Sequence, residues 1–159
     1  MALRIIVKEG DPALRKVCRP VEKFDERLAT LLGDLADTMY DAEGVGLAAP
    51  QVGILRRVVV VDTGSGLVEL VNPEIILQSG EQVGSEGCLS FPGQYGTVAR
   101  PMNVRVRAQD RHGEWFETDG EALQARAFCH EIDHLNGVVF KDLVRGNVER
   151  EDGSGGTEE

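Results

Sequence analysis

His130, Glu131 and His134, in the stretch CHEIDHLNG at 129–137, are the residues whose types and spacing bear most directly on chemistry. On a helix, side chains four apart lie one above the other, so both imidazoles would face a single ion. Glu131 would be turned about 100° from His130, beside the ligands, where it is placed to hold a water and move its proton. The chain has only 3 histidines, and two of them stand at this spacing. A catalytic ion takes three protein ligands and keeps one position open, so the pattern asks for a third ligand elsewhere.

Downstream the choice is poor. Phe140 stands where a metzincin carries its third histidine, and Glu149 and Glu151 adjoin a stretch with no apolar periodicity, whereas a dependable ligand needs rigid support. Upstream, Cys88 in EGCLS offers a thiolate, a strong ligand for iron, zinc and related ions. Read locally, Cys88 divides evenly between a ligand and a small buried thiol. His112 in DRHGE is a weaker candidate at an exposed hairpin tip, and Cys18 and Cys129 read as packing residues.

The elements that would position these groups are legible in outline. Leu28, Leu31, Leu32, Leu35, Ala36, Met39 and Tyr40 recur at helical steps after Asp25, which predicts an N-terminal amphipathic helix ending near Gly44. GVGLAAPQVG follows as a loop, and RRVVVVD as a buried strand. LVELVNPEIIL reads as extended, with a break at Asn72-Pro73. A glycine-rich stretch holding EGCLSFPG precedes YGTVAR, NVRVRAQD and EWFETDG, which carry strand formers, and DRHGE is the turn of a hairpin. A second helix is predicted over 121–135, with Leu123, Ala127, His130 and His134 on one stripe and Asn136-Gly137 as its stop. The fold class is therefore α+β, with antiparallel sheets packed around a C-terminal helix that carries the histidines.

Composition narrows the function classes. With 159 residues, one domain with one core is expected, here over 1–147, with 148–159 as an acidic, glycine-rich flexible tail. The net charge of −10 and the lack of a basic cluster speak against binding nucleic acid through its phosphates. No apolar run is long enough to span a bilayer, and the N-terminal apolar stretch is too short for a signal-peptide core, so a cytoplasmic or organelle-matrix location is expected. Three cysteines at irregular spacing do not suggest a disulfide framework.

Three stretches together, GVGLAAPQ at 44–51, EGCLS at 86–90 and HEIDHLNG at 130–137, resemble the signature motifs of the peptide deformylases, in that family's order and spacing. The resemblance extends to LRKVCRPVE, LADTMYDAEGVGLAAPQVG and LVNPEI. It implies removal of the formyl group from the N-terminal formyl-methionine of new chains, giving formate and a free amine. It also implies that Cys88, His130 and His134 hold the metal, with water in the fourth place, and that Glu131 is the general acid and base. Gln51 and the backbone N–H of Leu89 would form the oxyanion hole, and Gly46 would let the backbone approach the formyl group.

For methionine specificity the candidates are Val45, Leu123 and Ala127, the last two on the histidine stripe. By the same resemblance Arg100 would reach the peptide; it would equally suit an ion pair with Asp133. The metal implied is Fe²⁺, with Zn²⁺, Ni²⁺ or Co²⁺ as substitutes, and the partners are formyl-methionyl peptides of nascent chains, met at the ribosome, with no membrane. Some family members continue into a long C-terminal helix, for which VRGNVEREDGSGGTEE has too many glycines. Competing readings are a metallopeptidase cutting internal bonds, which would want a longer cleft, and a non-enzymatic module around a structural metal, which would have no use for Glu131 or Gln51.

Overall fold

Four consecutive valines at 58–61 mark the centre of the molecule, and the computed structural model, which describes residues 2–151, shows why all four are apolar. The strand they form is buried on both faces. Val58 and Val60 pack with Leu31, Leu32, Leu35 and Met39 of one helix, whereas Val59 and Val61 pack with Ala125, Phe128 and Ile132 of the other. A strand covered on one face only would alternate apolar with polar residues.

The two helices are α1 (Glu26–Asp41) and α2 (Leu123–Leu135). The strands are β1 (Gly46–Ala48), β2 (Val58–Val61), β3 (Val68–Ser79), β4 (Gln82–Cys88), β5 (Phe91–Arg100), β6 (Asn103–Gln109), β7 (Trp115–Glu121) and β8 (Arg145–Arg150). They form a five-stranded sheet in the order β1-β2-β3-β6-β7 and a three-stranded sheet in the order β4-β5-β8. Every pairing between these strands is antiparallel. The class is α+β, as the pattern of the sequence predicts, with α2 packed on the larger sheet and joined to the smaller one by ion pairs described below.

Asp25 caps α1 by accepting from the Leu28 N–H at 3.1 Å. The helix stops at Asp41, earlier than the expected end near Gly44. Glu43 rather than the glycine takes the left-handed conformation (φ 59°), and the Gly44 N–H closes the end on Met39 O at 2.9 Å. Gly44 has a different use, since a Cβ there would stand 2.6 Å from Leu89 Cδ1. At the end of α2, Gly137 is left-handed (φ 75°), and a Cβ on it would collide with the Arg15 carbonyl at 2.8 Å. Arg57, at the foot of β2, donates to Leu135 O at 3.0 Å, and so fixes the C-terminal end of the histidine helix.

Three strands depart from the sequence expectations. β1 lies in the stretch expected as a loop, β4 in the glycine-rich stretch for which no strand is expected, and β8 occupies residues 145–150, three of which fall in the expected tail. The tail boundary at 148 is thus too early: Gln94 pairs with Arg150 and Tyr95 with Glu149. The remainder of the proposed tail, 152–159, lies outside the described residues. The break expected at Asn72-Pro73 is a bulge within one strand, β3, where Asn72 (φ 52°) bonds the Val21 backbone through its side chain. No helix among the described residues is long and apolar enough to cross a membrane.

Candidate metal centre and active site

Burial of the second helix brings its polar stripe into the interior. His130, Glu131 and His134 are all buried, and His134 is fully so. Cys88, the last residue of β4, comes to them from the smaller sheet, with its Sγ 3.3 Å from His134 Nε2. One ligand atom from each of Cys88, His130 and His134 lies within 4.8 Å of the others. The Cys88 thiol thus faces both imidazoles, the arrangement that a ligand rather than a lone buried thiol would need. His112 is exposed at its hairpin tip, and Cys18 and Cys129 are buried in the core between α2 and the sheet, where burial pushes the Cys129 thiol up to about 11.

A sulfur and two imidazole nitrogens are a donor set suited to zinc, iron and related divalent ions, and their surroundings suit a cation as well. Burial works to depress the His130 pKa, but Glu131, the Cys88 thiol and Glu86 overcome it, and the net shift is well upward. The negative surroundings that hold a proton on His130 are those a divalent cation would feel. His134 shifts the other way, lowered by burial and by the charge of His130, so it is a neutral imidazole, the form that ligates.

Glu131 is buried, its pKa is raised to about 7 chiefly by desolvation, and its Oε1 has no hydrogen-bond partner among the described residues. A carboxylate in that range near neutral pH is poised to take up and release a proton. Gly46 lies directly against it. A Cβ at that position would stand 2.9 Å from both Cγ and Cδ of Glu131 and closer still to Oε2. The glycine therefore makes room for the acid, a purpose additional to the backbone approach expected from the sequence.

Gln51, in the short 3₁₀ turn Ala49–Val52, is buried at 1% exposure in spite of its polarity. Its Oε1 accepts from the Ala48 N–H at 3.0 Å, which fixes the amide orientation. Its Nε2 then points at Ser90 Oγ (3.2 Å) and Cys88 Sγ (3.4 Å). Leu89 follows Cys88 directly and borders the same cleft of about 480 Å³, as do Val45, Leu123 and Ala127. Val45 and Leu123 are large apolar residues left 43% and 50% exposed beside it.

Arg100 does not border this cleft. Its guanidinium is buried and committed to Glu86 (2.6 Å) and to Asp133 (2.7 Å), so it has no arm free for a peptide. Of the two roles open to it in the sequence, the ion pair is the one observed. Burial works to raise the Glu86 pKa, but the hydrogen bonds from His130 and Arg100 hold it well below the usual carboxylate range.

Glu86, Ser90 and Arg126 are site residues that sequence reasoning missed. Glu86 Oε2 lies 2.6 Å from His130 Nδ1, and Arg126 Nη1 lies 2.8 Å from Glu86 Oε1. Two signals were present. Glu86 stands two residues before Cys88, on the same face of a strand, and Arg126 stands four before His130, on the same stripe of a helix.

The family model described as polypeptide deformylase matches residues 3–150. The chain belongs to the peptide deformylase family. A peptide deformylase of Caldanaerobacter subterraneus subsp. tengcongensis is 57% identical over 152 residues, covering 96% of each chain. Among solved structures, the peptide deformylase of Legionella pneumophila superposes with a TM-score of 0.87 at 50% identity, over 91% of this chain and 87% of that one. That of Thermotoga maritima superposes at 0.89 with 44% identity, over 92% of this chain and all of that one (100%). Membership thus extends over both sheets and both helices.

Proposed function

We infer that this chain is a metal-dependent hydrolase that removes the formyl group from N-terminal formyl-methionine of newly made chains, releasing formate and a free amine. The observation that carries the reading is the convergence of Cys88, His130 and His134 beside a buried Glu131, whose Oε1 has no partner among the described residues, and an oriented Gln51 amide. The named relatives add to it, since they are peptide deformylases of nearly the same length.

Cys88 Sγ and one ring nitrogen each of His130 and His134 would hold the ion. A divalent ion bound there would supply Lewis acidity, lowering the pKa of water and polarising a carbonyl oxygen. The chain's own groups do the rest. Glu131 takes the proton of the attacking water and later returns it to the departing amine. The Gln51 amide and the Leu89 N–H donate to the formyl oxygen as negative charge develops on it. Because the Ala48 N–H already holds Gln51 Oε1, the amide is oriented before substrate arrives and little reorganisation is needed at the moment of reaction.

The topology also supplies a track for the peptide. β1 is one edge of the larger sheet and β4 one edge of the smaller, and residues of both, Gly46 and Gly87, border the cleft. An extended chain laid between two open edges hydrogen-bonds through its backbone, whatever its sequence, while alternate side chains reach pockets. Val45, Leu123 and Ala127 are the apolar wall we assign to the methionine side chain.

We further propose Fe²⁺ as the ion in the cell, with Zn²⁺, Ni²⁺ or Co²⁺ as working substitutes, and a reaction in the cytoplasm or an organelle matrix, at or near the ribosome where formylated ends emerge. Anaerobic purification followed by elemental analysis tests the first. The activity itself is tested by incubating the protein with formyl-Met-Ala-Ser and with Met-Ala-Ser. Formate from the first peptide alone is the expected result. Cleavage of internal bonds, or no reaction with metal bound, would overturn the reading.

A further inference from the structure

Glu86 gathers an unusual number of donors. Its Oε1 accepts from Arg100 Nε (3.1 Å) and Arg126 Nη1 (2.8 Å), and its Oε2 accepts from Arg100 Nη2 (2.6 Å) and approaches His130 Nδ1 at 2.6 Å. A carboxylate so placed takes the Nδ1–H of His130 and leaves the lone pair on Nε2, which fixes both tautomer and ring orientation for a ligand. The two arginines are not equivalent in this cluster. Arg100 is shared with Asp133, so one guanidinium faces two carboxylates. Arg126 has Glu86 as its one ion-pair partner among the described residues and supplies the second positive charge that balances the set.

We infer that Arg126 is a positioning residue for His130, acting through Glu86: it keeps that carboxylate seated against Nδ1 while Asp133 draws on Arg100. Placement supports this. Arg126 is buried at 7% exposure, on α2 one turn before His130, with its guanidinium against Gly84 of β4. A Cβ at 84 would stand 3.4 Å from Nη2 and 4.0 Å from Cζ, so a side chain built on it starts in contact with the guanidinium. The residue thus bridges helix and strand at the point where two ligand-bearing elements must keep register. It also borders the cleft, so a role as plain wall is the competing account.

The inference rests on Cys88, His130 and His134 as the ligand set, and its test separates the two. Full-length wild type, Arg126→Met and Arg126→Lys are loaded with Zn²⁺, and release to a chromophoric chelator is timed, with circular dichroism as a check of fold. Arg126→Met keeps the stem and removes the charge. It is expected to release zinc about 10–100-fold faster, the usual effect of losing a group that orients a metal-bound histidine. Arg126→Lys, which restores a point charge, is expected to recover part of the difference. Gly84→Leu, which crowds the guanidinium without altering residue 126, is expected to speed release as well. Release from Arg126→Met at the wild-type rate, with or without a raised KM for formyl-Met-Ala-Ser, would overturn the inference and leave Arg126 as cleft wall. Failure of the wild type to take up zinc would instead sink the ligand assignment itself.

Discussion

Replacing Gly46 by alanine is a sharp test of the active-site geometry, because the structure fixes what the added methyl meets. Its Cβ would stand 2.9 Å from Glu131 Cγ and Cδ, inside the 3.0 Å that real Cβ atoms essentially never cross, and nearer still to Oε2. Rotating the carboxylate alone gives no relief, since Cγ is also overlapped. The methyl cannot retreat either: Gly46 of β1 is paired with Val61 of β2, and β1 contacts both α1 and α2. Glu131 must therefore move bodily, and its carboxylate by about 1 Å, a misplacement that costs on the order of 10²-fold in rate when it strikes a positioned catalytic group.

The same overlap should cost about 1–3 kcal/mol of stability, as overpacking of a filled interior does. Formate release from formyl-Met-Ala-Ser gives kcat, elemental analysis the metal content, and thermal unfolding the stability. We expect kcat to fall by about two orders of magnitude with metal content unchanged. Gly44→Ala is the matched comparison. Its Cβ meets the flexible end of Leu89, at 2.6 Å from Cδ1, so the loss of kcat should be smaller. A folded Gly46→Ala protein with wild-type kcat would refute the placement of Glu131 as the proton-transferring group.

Other substitutions separate chemistry from scaffold. Glu131→Gln should keep its metal and lose most turnover, measured by the same formate assay. In metal-free protein it should also alter the pH dependence of stability. The folded pKa of Glu131 is raised to about 7 from 4.5, so the folded state binds the extra proton between these values and wild type loses stability as pH rises through that window. Glu131→Gln should therefore gain on wild type in chemical denaturation at pH 8 relative to pH 4.5; parallel curves would contradict the burial argument. Gln51→Ala removes one of the two proposed oxyanion donors and should cost about 2.7–4 kcal/mol of barrier stabilisation, read as a fall in kcat of roughly 10²–10³-fold. Gly33→Ala, inside α1 with nothing within 4 Å of the new Cβ, should raise stability by about 0.5–1 kcal/mol in thermal melts and leave kcat unchanged.

What the sequence disclosed and what it withheld follow one physical division. α1, β2 and α2 announce themselves because their burial is periodic or continuous, and the chain must write that pattern in apolar residues whatever it packs against. β1, β4 and β8 are strands through their partners. Gly46 and Gly84 through Cys88 carry little strand propensity of their own, and their extended form is secured by pairing with β2 and β5. Such information lies in another part of the chain. For the same reason the end of α1 was misjudged: glycine is the usual left-handed residue, but here Gly44 is needed for its lack of a Cβ against Leu89, and Glu43 takes the turn.

That division also explains why the candidate ligands are legible in the sequence and their supports are not. His130 and His134 are spaced by one helix, so their convergence is local. Cys88 joins them from the end of β4, just past a register shift between Gly87 and Cys88, and Glu86, two residues earlier, also faces the histidines. Once β4 is extended, the two metal-facing elements present matched pairs: Glu86 and Cys88 on the strand, and His130 and His134, with Arg126 a turn before them, on the helix. A slip of one residue in the pairing of β4 with β5 would turn the Glu86 carboxylate away from His130. The ion pairs from Arg126 and Arg100 to Glu86 therefore hold register as well as charge, and the metal site and its supports form one interface between helix and strand.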